Sequence, residues 1–237
     1  APKMITMNID VDKIREVIGS GGKVIQKIVA DTGAKIDIEE DGTIYIASVN
    51  RDGALQAQEI IKNIVFDLGG VLIDLDFKSA INGLQKAGFT NVKEQLQAFD
   101  REGIFQKFEL GEISADEFRA SIRENSNVSL TDEEVDSLWN LMLLEIPREK
   151  LELILDLRSK YMVYLLSNTN SIHWDYVCKN AFNYRGFRVN DYFEKTFLSF
   201  EMHLAKPDKA IFEKMLEDAN LLAEETFFTD DSEANCK

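Results

Sequence analysis

The chain has 237 residues, 45% of them hydrophobic and 29% charged, with 3 prolines, 13 glycines and a net charge of −15. This is ordinary globular composition with room for one to two domains and a well-buried core, and it argues against a long disordered linker. The acid excess excludes a protein that coats nucleic acid non-specifically, and two cysteines exclude a disulfide framework. No apolar run approaches the about 18 residues of a membrane span, so no membrane partner is expected. Ala1-Pro2-Lys3-Met4 is not a secretory leader. With Ala1 in place of an initiating Met, the chain reads as starting inside a larger parent, in the reducing cytoplasm.

The first 62 residues carry a charge of −2 and the remainder −13, which suggests two units. The head reads β-α-α-β-β-α. Lys3–Ile9 is strand-like, and Val11, Ile14, Val17 and Ile18 have helical spacing. Gly19-Ser20-Gly21-Gly22 breaks the chain before a second helix marked by Val24, Ile25, Ile28 and Val29. Ala34–Glu39 and Thr43–Ala47 alternate as strands around an Asp41-Gly42 hairpin turn, and Ala54–Ile61 is a third helix with Asn63 as its C-cap.

Beyond Asn63 the pattern changes. Ile64-Val65-Phe66 is a buried parallel strand that runs into Asp67-Leu68-Gly69-Gly70. Residues 76–160 are mostly helical, with capping boxes at Ser114–Glu117 and Thr131–Glu134 and a helix start at Pro147. Tyr161–Leu166, Thr196–Leu198 and Thr226–Thr229 are the remaining strands, with a helix at Lys209–Ala219. Strands alternating with helices predict a parallel α/β sheet beside the α+β head.

A Gly-x-x-Gly loop between two helices leaves no side chain in the way of a phosphate backbone, and the following helix aims its N–H groups at it. The stretch "DKIREVIGSGGKVIQKIVADTGAKIDIEEDGTIYIAS" closely resembles the KH domain of bacterial polynucleotide phosphorylase. The resemblance implies weak binding of single-stranded RNA. Gly19, Ser20, Gly21, Gly22 and Lys23 would contact the backbone, and Ile18, Ile36 and Ile38 would line the base groove. The phosphorylase's catalytic core is absent from the chain, so the resemblance implies binding without phosphorolysis.

In open α/β sheets, ligands bind at the carboxyl ends of strands. Asp67, Ser167 with Asn168, Lys206, and Asp230 with Asp231 all fall at or just after such ends. Acidic strand ends brought together call for a cation, and oxygen-only ligands favour Mg²⁺. A carboxylate can also attack phosphorus.

"NIVFDLGGVLID", "LLSNTN", "KPDKAIF" and "FFTDDSEAN" resemble, in order, the four motifs of the haloacid dehalogenase (HAD) superfamily, across residues 63–237. This implies a Rossmann-like sheet (63–75 and 156–237) under a helical cap (76–155). It also implies a Mg²⁺-dependent phosphatase that works through an aspartyl-phosphate. Asp67 would be nucleophile and metal ligand, and the Gly69 carbonyl, Asp230 and Asp231 would complete the metal site. Ser167, Asn168 and Lys206 would hold the phosphoryl group. "FELGEIS" and "LSNTN" look most like bacterial sugar-phosphate phosphatases, glucose-1-phosphate phosphatases among them, so a small phosphorylated metabolite is the expected substrate.

Two departures carry consequences. The superfamily's usual general acid stands two residues after the nucleophile, where this chain has Gly69, which leaves Glu109, Glu112 or water as proton donor. The resemblance also implies a helix and a strand after the fourth motif, where only Ser232–Lys237 follow. Thr226–Thr229 would then be an uncovered edge, with Phe227 and Phe228 lacking cover, Asp230 and Asp231 poorly fixed and the body marginal or inactive. The alternative reading is an RNA-binding fragment fused to an inactive hydrolase body, a chimera of two parents. His173 and His203 do not suggest a metal site, and Cys178, Trp139 and Trp174 read as packing residues.

Overall fold

A computed structural model describes residues 61–88 and 103–236, together with the backbone of three strands nearer the N-terminus. Those strands are β1 (Lys3–Asn8), β2 (Lys35–Ile38) and β3 (Thr43–Ser48). They form an antiparallel sheet of order β1-β3-β2, in which Ile36 pairs with Ile46 and Ile38 with Ile44. The helices expected in the head and the expected loop contacts Ile18, Gly19, Ser20, Gly21, Gly22 and Lys23 lie outside the described residues.

The body is built on four parallel strands in the order β6-β5-β4-β7. These are β4 (Asn63–Phe66), β5 (Met162–Ser167), β6 (Lys195–Leu198) and β7 (Thr226–Thr229). Successive side chains of a strand point to opposite faces, and both faces here are covered, which is why the strands read as continuous apolar runs. Ile64, Phe66, Val163 and Leu165 join one core with Leu151, Ile154 and Val177. Val65, Tyr164, Leu166 and Phe197 join the other with Ile211 and Met215. The first face is covered by α5 (Arg148–Arg158) and α6 (Ser171–Asn180), the second by α9 (Lys209–Ala219).

Asn63 is not a helix cap. It is the first residue of β4 and is buried, with its side-chain amide donating to Thr226 Oγ1 at 3.3 Å on the neighbouring strand. β7 is the sheet's outer strand on that side, half-buried along its length. Its two phenylalanines find cover nonetheless: Phe227 packs on the first core, and Phe228 packs on the second, edge-on to Phe212 with centroids 5.3 Å apart.

Among the described residues, four helices between β4 and α5 have a core of their own. They are α1 (Phe77–Lys86), α2 (Ile104–Glu109), α3 (Ala115–Glu124) and α4 (Asp132–Asn140). Phe105, Phe108, Phe118 and Trp139 are buried together, with Phe105 stacked on Trp139 at 5.0 Å and Phe108 on Phe118 at 4.4 Å. Burying each such ring contributes about 1.5–3 kcal/mol, so this cluster sets the cap's shape. Both expected capping boxes form, Ser114 with Glu117 and Thr131 with Glu134. Pro147 is the N-cap of α5, and α5 packs on the sheet, although its first part was expected in the cap.

Two short α-helices, α7 (Val189–Tyr192) and α8 (Ser199–Met202), lie before and after β6. Among the described residues, no helix is long and apolar enough to cross a membrane.

Candidate active site

The carboxyl ends of β4, β5 and β7 bring the sequence's scattered polar residues to one place. Asp67 follows β4 and its N–H donates to the Thr229 carbonyl at 2.9 Å, which ties the end of β4 to the end of β7. The chain then turns tightly: Leu72 and Ile73 both donate to the Leu68 carbonyl at 2.9 Å. Gly70 has φ +73, and a β-carbon there would lie 2.2 Å from Asp231 Oδ2. Only glycine permits both this backbone and this approach.

Lys206 is buried at the centre. Its ammonium lies 2.8 Å from Asp67 Oδ1, 2.5 Å from Asp230 Oδ2 and 3.1 Å from the Leu166 carbonyl, so its three protons each have an acceptor. Asn168 clamps the Lys206 backbone, donating to its carbonyl and accepting from its N–H, both at 2.9 Å. Ser167 is buried at the end of β5 beside them.

The two adjacent aspartates are fixed differently. Asp230 is inaccessible to solvent. Its Oδ1 accepts from Ser232 N at 2.9 Å and Asn235 Nδ2 at 2.8 Å, while Oδ2 faces Lys206. The expectation that Asp230 would be poorly fixed is therefore overturned: residues just after the strand supply the donors. Asp231 is exposed, with its carboxylate against Gly70. Carboxylate oxygens of Asp67, Asp230 and Asp231 lie within 4.8 Å of one another, an oxygen-only set suited to a hard divalent cation. Burial raises the Asp67 carboxyl to about 6, even with Lys206 pulling it down.

These groups open into a cavity of about 400 Å³, lined on its polar side by Asp67, Glu109, Ser167, His173, Lys206 and Asp231. Glu109, the last residue of α2, comes from the cap, whereas Glu112 is exposed and does not line the cavity. Burial raises the Glu109 carboxyl to about 7. His173 is spoken for. Asn170 Oδ1 accepts from the His173 backbone, so Asn170 Nδ2 faces ring Nδ1 at 3.2 Å, which leaves Nε2–H to donate to the Trp139 carbonyl at 3.2 Å. Burial lowers this imidazole to about 4, so it stays neutral.

Sequence reasoning missed Asn170 and Ser199, both fully buried, and Asn235. Asn170 is the last residue of the second motif and the N-cap of α6, where an N-cap signal was available. Ser199 and Asn235 act through tertiary contacts that leave no local pattern. A larger groove of about 540 Å³ lies at the opposite end of the strands, beside Lys62, Arg158 and Met162, away from the carboxylates.

A parallel sheet with a carboxylate cluster at its strand ends and a helical cap above defines a HAD-type hydrolase. The haloacid dehalogenase-like hydrolase family model matches residues 61–237, and the chain belongs to that family. Residues 4–63 match the KH domain. The D-ribitol-5-phosphate phosphatase of Bacteroides thetaiotaomicron is 40% identical over 176 residues, 74% of this chain and 85% of that protein. A HAD-family enzyme from the same organism, solved with magnesium and inorganic phosphate, is similar with a TM-score of 0.71. It is 55% identical, covering 74% of this chain and 87% of that one. A HAD-like hydrolase from Porphyromonas gingivalis has a TM-score of 0.69 and 37% identity, covering 74% of this chain and 84% of its own. The head is 60% identical over 68 residues to the polyribonucleotide nucleotidyltransferase of Heliobacterium modesticaldum, 29% of this chain but only 10% of that relative's length.

Proposed function

We propose that the body, residues 63–237, is a Mg²⁺-dependent phosphatase for a small phosphate monoester of a sugar or sugar alcohol. The head, residues 1–62, is a weak clamp for single-stranded RNA. The observation that carries the first part is the convergence of the Asp67, Asp230 and Asp231 carboxylates at the strand ends, with Lys206 paired to the first two and Asp67, Lys206 and Asp231 lining one cavity. The named activity of the ribitol-phosphate relative and the phosphate held by the Bacteroides enzyme support the same reading.

In this reading Asp67 is the nucleophile, and Lys206 keeps it anionic and aimed by holding one oxygen at 2.8 Å. Asp67, the Gly69 carbonyl and Asp231 would hold the metal, with Asp230 beside them chiefly anchoring Lys206. The metal, when bound, offsets the charge of the phosphoryl oxygens. Ser167, with Asn168 beside it, donates to those oxygens at the end of β5. The cavity volume and the cap residues that line it favour a small ester over a polymer, and the charge of −13 on the body disfavours a polyanion. We place the protein in the cytoplasm, where the thiols Cys178 and Cys236 stay reduced.

The test is hydrolysis of ribitol 5-phosphate, glucose 1-phosphate and p-nitrophenyl phosphate with Mg²⁺, with chelator, and in Asp67→Asn. Activity that needs Mg²⁺ and vanishes in the variant is expected. Equal rates for variant and parent overturn the aspartyl-phosphate route.

A further inference from the structure

A phosphate ester of an aliphatic alcohol expels a strongly basic alkoxide unless a proton reaches the leaving oxygen. Position 69, two residues beyond Asp67, is glycine and has none to give. The other titratable groups on the cavity are engaged. Lys206 is held by three acceptors, His173 uses both ring nitrogens, and Asp231 lies with Asp67 in the carboxylate cluster. Glu109 stands apart. It lines the same cavity from the cap side, and no hydrogen bond or ion pair engages its carboxylate among the described residues.

Its backbone, by contrast, is held firmly. Ser199 Oγ lies 2.7 Å from the Glu109 carbonyl and accepts from Thr169 N at 2.9 Å, so one hydroxyl joins the cap to the loop after β5. His203 Nδ1 lies 2.8 Å from the Leu110 carbonyl. Gly111, with φ +65, lets the chain pass so close to the Phe200 carbonyl that a β-carbon would meet it at 2.1 Å. Three consecutive cap residues are thus fastened to the core, and the first of them, Glu109, lines the cavity that Asp67 also lines, with no partner for its carboxyl among the described residues.

We propose that Glu109 is the general acid and base of the hydrolase, taking the part that Gly69 cannot play; this rests on the phosphatase reading above. A carboxylate oxygen of Asp67 bonds to phosphorus as the P–O bond to the alcohol breaks, and the Glu109 proton goes to the departing oxygen. Glu109, now a carboxylate, takes a proton from water as that water's oxygen bonds to phosphorus. The P–O bond to Asp67 then breaks, releasing inorganic phosphate and restoring the Glu109 acid. The charged groups on the elements around it are Lys107 and Glu112 on either side of it in the chain, Glu201 and His203 from α8 and its C-cap, and Asp67, Lys206, His173 and Asp231 across the cavity. Burial, rather than any of these, raises its carboxyl to about 7, where both forms are populated at neutral pH.

The experiment uses the full chain with Mg²⁺ and compares ribitol 5-phosphate with p-nitrophenyl phosphate, whose leaving group departs without a proton. Glu109→Gln is expected to lower kcat on the alkyl ester by about 10²–10⁴-fold. Its first turnover of p-nitrophenyl phosphate is expected to persist, followed by an accumulated acid-stable phosphoenzyme, because water is no longer activated. That burst also reports a folded protein. In the parent, kcat/KM for the alkyl ester should fall above about pH 7 while the p-nitrophenol burst does not. Unchanged alkyl-ester rates in Glu109→Gln, or an equal loss in both first turnovers with no alkaline limb in the parent, overturn the proposal. If Asp67→Asn matches the parent, the phosphatase reading fails and the proposal with it. If Asp67→Asn is inactive while Glu109→Gln is not, the proposal alone fails.

Discussion

The Lys206 ammonium and the Asp230 carboxylate meet at 2.5 Å with both side chains cut off from solvent. Lys206 also touches Asp67, so one buried cation serves two buried anions. Removing one partner of a buried ion pair costs about 3–5 kcal/mol, because the other charge stays behind without compensation. Lys206→Met leaves two such anions. It should therefore lower the melting temperature of the body, on the order of 10 °C, and abolish hydrolysis. Lys206→Met/Asp230→Asn should melt higher than Lys206→Met, since only one orphan charge remains. Differential scanning calorimetry decides; a single variant that melts with the parent removes this account of the site's stability.

Gly70 gives a test of the proposed metal site that substitutes none of its ligands. A β-carbon there meets the Asp231 carboxylate at 2.2 Å, on a backbone of φ +73 that side chains rarely adopt. Gly70→Ala must push Asp231 away from Asp67 or open the loop. We expect a Mg²⁺ requirement raised by about 10-fold or more, in line with lost outer support of metal ligands, and an unchanged far-UV spectrum. A Mg²⁺ titration of hydrolysis with the parent's midpoint would show that Asp231 is not a ligand.

Much of this site was legible in the sequence because its logic is local. Parallel strands buried on both faces read as short apolar runs, and the residues ending them, Asp67, Ser167 and Asp230, fall at the ligand-binding end by topology. What the sequence hid depends on tertiary contact. Asp230 and Asp231 are adjacent and chemically identical, yet Ser232, Asn235 and Lys206 turn one inward and Gly70 receives the other. Glu109 and Glu112 are three residues apart, and the left-handed turn at Gly111 separates them, keeping one in the cavity and leaving the other in solvent. Asn63 looked like a helix cap because Asn tolerates that conformation, but its partner is Thr226, 163 residues away. α5 carries the same amphipathic signal whether it covers a cap or a sheet.

The head makes a separate prediction. A KH loop binds through backbone phosphates of about four nucleotides, so affinity for a short single strand should fall as salt rises, with a slope of about −0.7 per phosphate neutralised. Gly21→Asp/Gly22→Asp sets carboxylates against those phosphates and should abolish binding at low ionic strength. Fluorescence anisotropy with the full chain and a short oligoribonucleotide measures both. Salt-independent binding, or binding equal in the variant, rules out the loop as the contact.

The last prediction concerns pH, where two cavity residues pull in opposite directions. His173 is held near 4, below its ordinary 6.5, so the stability it contributes is complete above pH 6.5 and is lost as pH falls toward 4. A shift of that size corresponds to about 3 kcal/mol at full effect. Glu109 is raised to about 7 from its ordinary 4.5, so its contribution is complete below pH 4.5 and is lost as pH rises toward 7. It should be the smaller of the two, because Glu109 is only partly buried and His173 is sealed between Asn170 and Trp139. Between pH 4.5 and 6.5 these two slopes oppose each other, while Asp67, raised to about 6, adds to the loss on the Glu109 side up to that pH. His173→Gln keeps a donor for the Trp139 carbonyl and removes the acid-side loss, so its stability relative to the parent should improve steadily as pH falls from 6.5 to 4.5. Glu109→Gln should improve in the other direction, from 4.5 to 7. Denaturant midpoints measured across that range give both slopes. Parallel curves for parent and variants would mean that neither group's protonation differs between the folded and unfolded chain.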